Sequence, residues 1–249
     1  LKIKSILISQ PDPGNEPSPF KDLAEKYKVK VDFRPFIEVK GVDITEFRRS
    51  KINLADYQSI IFTSKNAVDH FFRIAEECRY SIPDNLKYFC VTESIAHYLQ
   101  KYVTYRKRKI YFGKNSVGDL LPMMKKHKED KYLLPSSDIL KPEIPTILEG
   151  AKIDYKRAIL YKTVSSDLSD LKDVTYDVLV FFSPQGIQSL FENFPDFQQN
   201  EKKIAGFGTT TQKAIRDRGL RLDIPAPTPE HPSMAMALED FIKKTNKGK

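Results

Sequence analysis

Five short hydroxyl-rich segments stand directly in front of helical patterns. They are Thr63-Ser64-Lys65-Asn66, Thr92-Glu93-Ser94, Pro135-Ser136-Ser137, Ser183-Pro184-Gln185-Gly186 and Gly208-Thr209-Thr210-Thr211. Each follows a strand-sized apolar run, so each reads as a turn from a strand into a helix. Such a turn offers free backbone N–H groups, side-chain hydroxyls and the partial positive charge of a helix N-terminus. That combination suits a carboxylate or a phosphate. The plainer account is N-capping, the usual role of Ser and Thr at helix starts. Capping explains any one turn alone, but not why both halves of the chain carry matching ones.

Other chemistries lack their fingerprints. The chain has no GxGxxG, no GxxxxGK[ST] and no GxSxG, which argues against nucleotide-loop and serine-hydrolase chemistry. His70, His97, His127 and His231 show neither HxxxH nor HxH spacing, and Cys78 and Cys90 do not form a metal pattern. A zinc or iron site is not expected, and both cysteines read as ordinary thiols. The formal net charge is +8, which draws anions towards the surface. Composition leaves open whether the anion is nucleic acid, a nucleotide or a small polycarboxylate, or whether the charge only aids solubility. The run "KYVTYRKRK" at Lys101–Lys109 is basic with interleaved tyrosines, yet it falls between predicted elements and reads best as a solvated loop. "KKHK" at Lys125–Lys128 reads as a helix C-terminus with favourable charge.

Strands and helices alternate in the elements that carry the turns. Strands are expected at Ser5–Ser9, Val29–Val39 (interrupted by Pro35), Ser59–Phe62, Lys87–Val91, Lys131–Leu134, Ile153–Leu160, Val178–Phe182 and Ile204–Phe207. One helix starts at Pro19 behind Ser18, and another carries Val68, Phe71, Phe72 and Ala75 on one face. Further helices are expected at Ile95–Lys101, up to Gly150, before Gly219 and from Ser233 to Lys243. This alternation implies parallel sheets covered on both faces. With 249 residues, one large or two small domains are possible. No apolar run approaches the roughly 20 residues of a bilayer span, and residues 1–10 lack signal-peptide features. A protein that is soluble, with no membrane partner, is the default.

A repeat runs through the pattern. "IIFTSKNAVDHFF" (Ile60–Phe72) recurs as "LVFFSPQGIQSLF" (Leu179–Phe191), and "CVTESIAHYL" (Cys90–Leu99) as "GFGTTTQKAI" (Gly206–Ile215). More weakly, "KVDFRP" (Lys30–Pro35) recurs as "KIDYKR" (Lys152–Arg157). The three offsets are each roughly 120 residues, as expected for a duplicated domain-sized unit. Ligands of parallel sheets sit outside the carboxyl ends of the strands, so the working surface is expected in a cleft between two related halves.

These segments resemble the uroporphyrinogen-III synthase family. "DYQSIIFTSKNAV" is similar to its first-half block and "AILYKT" to its hinge block with a tyrosine. "DVLVFFSPQGI" is similar to its FxSP block. "IAGFGTTTQKAIRDRG", followed by "IPAPTPEHPSMAMALEDFI", is similar to its glycine-threonine block and C-terminal helix. The resemblance spans nearly the whole chain in order. Two positions depart from it: the first strand leads into Gln10 where the family often has arginine, and Thr92-Glu93-Ser94-Ile95 replaces a glycine-threonine turn.

The resemblance implies an α/β fold of two flavodoxin-like three-layer domains with parallel sheets, joined by a two-stranded linker. Residues 1–35 and 164–249 would form a discontinuous domain, 41–157 the second, and 36–40 with 158–163 the linker strands. The implied reaction cyclises hydroxymethylbilane to uroporphyrinogen III with loss of water and inversion of ring D. No metal or organic cofactor is implied. Tyr161 would be the catalytic group. Thr63, Ser64, Asn66, Thr92, Ser94, Ser183, Pro184, Gln185, Gly186, Gly208, Thr209, Thr210 and Thr211 would bind substrate. A cytoplasmic monomer in transient contact with hydroxymethylbilane synthase, the preceding enzyme, and with no nucleic-acid partner, completes the expectation. The competing expectation is a non-catalytic two-domain module that closes on a small anion by hinge motion.

Overall fold

The computed structural model describes residues 2–171 and 174–247. In chain order the elements begin with β1 (Ser5–Ile8), α1 (Pro19–Tyr27), β2 (Lys30–Phe33), β3 (Ile37–Gly41) and α2 (Ile44–Arg49). There follow β4 (Ser59–Phe62), α3 (Lys65–Glu77), β5 (Lys87–Cys90), α4 (Glu93–Leu99), β6 (Ile110–Phe112), α5 (Leu121–Met124), β7 (Tyr132–Ser137) and α6 (Glu143–Gly150). The last are β8 (Tyr155–Ser165), β9 (Val178–Phe181), α7 (Pro184–Asn193), β10 (Lys203–Phe207), α8 (Thr209–Asp217), β11 (Ile224–Ala226) and α9 (Met234–Lys247). The chain forms two compact units, Leu1–Glu38 with Val164–Lys249, and Val39–Thr163. The boundaries fall inside β3 and β8.

The first unit holds a five-stranded sheet in the order β11-β10-β9-β1-β2, with every pairing parallel. Its central strands are buried on both faces. Ile6, Ile8, Val178 and Val180 enter one core cluster, while Leu7, Leu179 and Phe181 enter the other. Successive side chains of a strand point to opposite faces, so a continuous apolar run is what a doubly covered sheet requires. The second unit holds a six-stranded sheet, β3-β8-β7-β4-β5-β6. Its pairings β8–β7, β7–β4, β4–β5 and β5–β6 are parallel. In α3 the residues Ala67, Val68, Phe71, Ile74 and Ala75 are buried. Phe72, expected on that face, is half-buried against the same core and also stacks on Tyr102, with ring centres 4.4 Å apart.

The repeat acquires a spatial meaning here. β9, β10 and β11 occupy the positions that β4, β5 and β6 occupy in the other sheet. β1 and β2 correspond likewise to β7 and β8, so "KVDFRP" and "KIDYKR" lie on equivalent strands. The sheets share one plan, but the first unit takes its last two strands from the start of the chain. The direction in which successive strands are added therefore reverses between β1 and β9 in one unit and between β7 and β4 in the other. In open parallel sheets such a switch point opens a crevice at the carboxyl ends.

Several expectations are corrected. Pro135-Ser136-Ser137 is not a turn: β7 runs through Ser137, all six of its residues are buried, and the turn lies beyond it. The expected strand at 153–160 and linker strand at 158–163 are one continuous strand of 11 residues, β8. The run at Val29–Val39 is two strands in different sheets, β2 and β3. The three-residue strands β6 and β11 and the helix α2 lie outside the sequence expectations because each is too short to display a period.

Partly buried carboxylates pin the amino ends of the strands. Asp130 Oδ2 accepts from Ser59 Oγ at 2.6 Å and from Lys87 Nζ at 2.7 Å. In the first unit Asp177 Oδ2 accepts from the backbone N–H groups of Lys4 (2.7 Å) and Ser5 (2.9 Å). Charge-assisted bonds of this kind are the stronger ones, and removing the acceptor leaves the donors unpaired. Asp177→Ala should therefore lower unfolding stability by about 1–3 kcal/mol. Denaturant titration should show a lower midpoint with an unchanged slope.

Candidate functional site

The second unit's switch point carries the most developed polar site. Chain geometry starts at Ser64, which follows β4. Its side chain accepts from Ala67 N at 3.1 Å and caps α3. The same Oγ is hydrogen-bonded to the Tyr161 hydroxyl at 2.9 Å, with either oxygen able to donate. Capping and site-building are thus not alternatives at Ser64; one oxygen does both.

Tyr161 reaches Ser64 because β8 slips. Ser136 pairs with Ile159, but Ser137 pairs with Tyr161, leaving Leu160 as an extra residue. Strict alternation would send Tyr161 to the side of Ile159, which is 41% exposed. The bulge instead leaves Tyr161 only 7% exposed. Bulges re-aim side chains in this way next to functional sites. Burial pushes the Tyr161 phenol above its ordinary range, with the nearby Asp138 charge adding to the rise and the bond to Ser64 opposing it. The phenol is therefore a neutral hydroxyl at ordinary pH.

The ring of His70, one α-helical turn beyond Asn66 on α3, stacks on Tyr161 with centres 4.9 Å apart and planes at 17°. Arg73 Nε donates to His70 Nδ1 at 3.2 Å, so the imidazole carries its proton on Nε2. Burial and then the Arg73 charge hold the His70 pKa below its usual value, against the pull of Asp69.

Tyr161 and Ser64 border a cavity of about 160 Å³. Its polar lining also includes Thr63, Ser136, Ser137, Asn115 and Ser116, with Lys141 and Glu143 on the loop and helix after β7. Arg157 fixes the end of β7. Its Nε donates to Ser136 Oγ at 2.9 Å, and Nη2 donates to the carbonyls of Ser137 and Asp138, each at 2.7 Å. Of the expected binding residues in this unit, Thr63 and Ser64 line the cavity, whereas Asn66, Thr92 and Ser94 lie outside its lining. Thr92 caps α4 through Ile95 N at 3.3 Å. Glu93 is largely exposed and lies 3.6 Å from His97 on its own helix, so it does not face the cavity.

In the first unit the equivalent turns have the same construction. Ser183 caps α7, accepting from Gly186 N at 3.2 Å, with Pro184 and Gln185 in the first turn. A Cβ on Gly186 would come within 3.3 Å of the Phe181 ring, so a side chain there would be crowded. Gly208 stands at the start of α8 with φ +83°, a conformation that suits glycine. Thr209 and Thr210 are exposed, whereas Thr211 is 1% exposed and turned into the fold. Thr211 thus offers no hydroxyl to a ligand from the surface, and its place in the helical pattern is the signal that sets it apart. Ser9 follows β1 beside the Ser183–Gly186 turn and donates its N–H to Val180 O at 3.0 Å.

The sequence reading missed Asn115, Ser116, Lys141 and the pair His70–Arg73. The first two follow β6, a strand hidden behind the basic run. His70 and Arg73 sit three residues apart, hence on one helix face, which was the only signal available. Cys90, at the end of β5, is buried, and burial pushes its thiol up to about 12, so it is not a nucleophile at ordinary pH.

Residues 18–236 match the family described as "Uroporphyrinogen-III synthase HemD". A uroporphyrinogen-III synthase from Chlorobaculum parvum is 24% identical, covering 97% of this chain and all of that one. The Saccharomyces cerevisiae uroporphyrinogen-III synthase is 27% identical over 49% of this chain and 50% of its own length. Among solved structures, the Helicobacter pylori uroporphyrinogen-III synthetase aligns with a TM-score of 0.61 and 20% identity, covering 97% of this chain and 100% of that one. A mutant uroporphyrinogen III synthase from Thermus thermophilus gives a TM-score of 0.54 at 15% identity over 99% of this chain and 100% of that one. The α/β fold with two mainly parallel sheets is therefore that of these structures. Because the family match extends over most of the sequence, the chain belongs to the uroporphyrinogen-III synthase family, which acts in tetrapyrrole biosynthesis.

Proposed function

We propose that this chain cyclises hydroxymethylbilane to uroporphyrinogen III, with loss of water and inversion of ring D, and that Tyr161 takes part directly. The observation that carries this reading is the Tyr161–Ser64 pair, 2.9 Å apart, at the edge of a hydroxyl-lined cavity at a sheet switch point. The cavity is smaller than the roughly 300–1,000 Å³ typical of pockets for drug-sized ligands. It would take part of a tetrapyrrole, such as the reacting end, rather than all four rings. Thr63 and Ser64 would act at this reacting end, and the turns of the first unit, with Ser183, Gly186, Gly208, Thr209 and Thr210, offer hydroxyls and backbone N–H groups of the kind that suit acetate and propionate groups.

The chemistry follows from these roles. The C–O bond of the ring A hydroxymethyl group breaks, and the pyrrole nitrogen lone pair fills the vacancy to give an azafulvene. Tyr161 hydrogen-bonds the departing oxygen and supplies its proton, so that water leaves. The ring D carbon already carrying the bridge attacks, giving a spiro intermediate. This fragments and recloses with ring D reversed. The proton released when ring D regains aromaticity replaces the one Tyr161 gave. The linear substrate also closes unaided without inversion, so the protein's task is to impose one folded geometry, largely an orientation effect.

Freshly made hydroxymethylbilane, followed by separation of the porphyrin isomers, tests the reading. Isomer III is expected; isomer I alone, at the uncatalysed rate, would reject it and favour a non-catalytic binding module. Tyr161→Phe should lower kcat by about 10- to 100-fold with KM nearly unchanged, the split expected when a bond matters only in the transition state. Undiminished isomer III from that variant would remove Tyr161 from the mechanism. Thr210→Ala should cost at most about threefold in kcat/KM, because many hydrogen bonds share the binding. Since burial raises the Tyr161 pKa, the phenol stays protonated up to at least its ordinary value near 10. The ratio of wild-type to Tyr161→Phe rates should accordingly stay flat from about pH 7 to 9. A ratio that collapses within that range would show that the phenol ionises there.

A further inference from the structure

The bulge at Leu160 needs something to hold it, because it takes one residue out of the regular ladder. Two donors meet the Leu160 carbonyl: Val42 N at 2.9 Å and Arg73 Nη2 at 3.1 Å. The same Nη2 donates to Val42 O at 2.8 Å. Nη1 donates to Glu77 at 2.7 Å, and Nε donates to His70. One guanidinium therefore grips the bulge, the segment leaving β3 and the imidazole that stacks on Tyr161. Its planar fork has donors pointing in each of these directions, which an ammonium group lacks. The backbone leaves room for it: a Cβ on Gly41 would stand 2.9 Å from the guanidinium carbon.

We propose that Arg73 and His70 are positioning residues for the proposed reaction, fixing the Tyr161 hydroxyl on Ser64 and at the cavity. Arg73 acts on the backbone directly before Tyr161, and His70 acts on its ring. A phenol held only at Cα would be free to rotate about its side-chain torsions. Packing one ring face against imidazole and bonding the hydroxyl to Ser64 leaves it one orientation. The inference rests on the catalytic reading of Tyr161 for its kinetic consequence, but the geometric consequence is independent of that reading.

A double-mutant cycle with a spectroscopic readout tests both parts. His70→Ala should lower kcat by about tenfold with KM changed less than about twofold, while His70→Phe, which keeps a flat ring, should retain at least about half of kcat. In a Tyr161→Phe background His70→Ala should cost no more than about a further twofold, because the group it positions is gone. Gly41→Ala, which displaces the Arg73 guanidinium without removing its charge, should lower kcat in the wild-type background and not in the Tyr161→Phe background. Where Tyr161→Phe is itself impaired, equal losses in both backgrounds or a fully active His70→Ala protein would overturn the proposal. With ¹³C-labelled tyrosine, the ring resonance missing from Tyr161→Phe identifies Tyr161, and His70→Ala should shift it by loss of the stacked ring. A shifted resonance in His70→Ala together with full activity of Tyr161→Phe would leave the positioning intact and reject only the catalytic role. An unmoved resonance would reject the positioning itself.

Discussion

One slipped residue sets the geometry of the candidate site. Leu160 is passed over in the pairing of β7 with β8, so Tyr161 lies opposite Ser137 and turns inward. In a regular ladder the phenol would lie on the side of exposed Ile159, and the oxygen that caps α3 would have no partner across the crevice. A bulge costs ladder bonds, and here the orphaned Leu160 carbonyl is recovered by Val42 N and Arg73. The groups that repair the bulge are also those that hold the ring.

The duplicated sheet plan explains why polar turns gather as they do. Each unit folds three consecutive strands outward from its centre, β4-β5-β6 in one and β9-β10-β11 in the other, and adds strands on the opposite side, β7, β8 and β3 in the former and β1 and β2 in the latter. The crevice must open where those two groups meet. In the second unit, Ser64 comes from one side of that line and Ser136, Ser137 and Tyr161 from the other. In the first, Ser183 and Gly186 face the end of β1. The chain reaches the same arrangement by two orders, because the first unit borrows β1 and β2 from the amino end. The turns depend on strand position rather than strand order, so the repeat survives the rearrangement.

Much of this was readable from residue types. The apolar runs at Ile60–Phe62 and Val178–Phe181 announced central strands, and the Ser or Thr after each announced a helix start; Ser64, Thr92 and Ser183 do cap helices. Family resemblance pointed to Tyr161, but nothing in the local sequence revealed how it would face inward. A register slip belongs to a pair of strands, and single-strand periodicity does not contain it. The same limit hid Asn115 and Ser116, which matter only because β6 ends beside β5. It also misplaced Ser136 and Ser137, which read as a turn because serine is common in turns. They are buried strand residues whose backbone carbonyl and hydroxyl are occupied by Arg157. Thr211 fails for a related reason. Three threonines in a row look alike as letters, yet a helix turns each by about 100°, and the third faces the core.

The chemistry of the cavity lining bears on the reaction proposed for it. Apart from Lys141 and Glu143, the polar groups around it are neutral: hydroxyls, an amide and backbone groups. The cations that give the chain its net charge of +8 lie mainly elsewhere, as in the loop at Lys101–Lys109. A ring of arginines would hold a polyacid more tightly, but it would hold the linear substrate as tightly as the spiro intermediate, and uniform binding does not accelerate a chemical step. Ring D must also turn while its neighbours stay fixed. Neutral donors exchange partners at little cost, whereas breaking a desolvated ion pair leaves an uncompensated charge. For the proposed reaction, a basic surface to capture the anion and a neutral interior to let it rearrange would be complementary requirements. In that division of labour, the rigidity needed for selectivity would fall to a few fixed points, with the clamped phenol of Tyr161 chief among them.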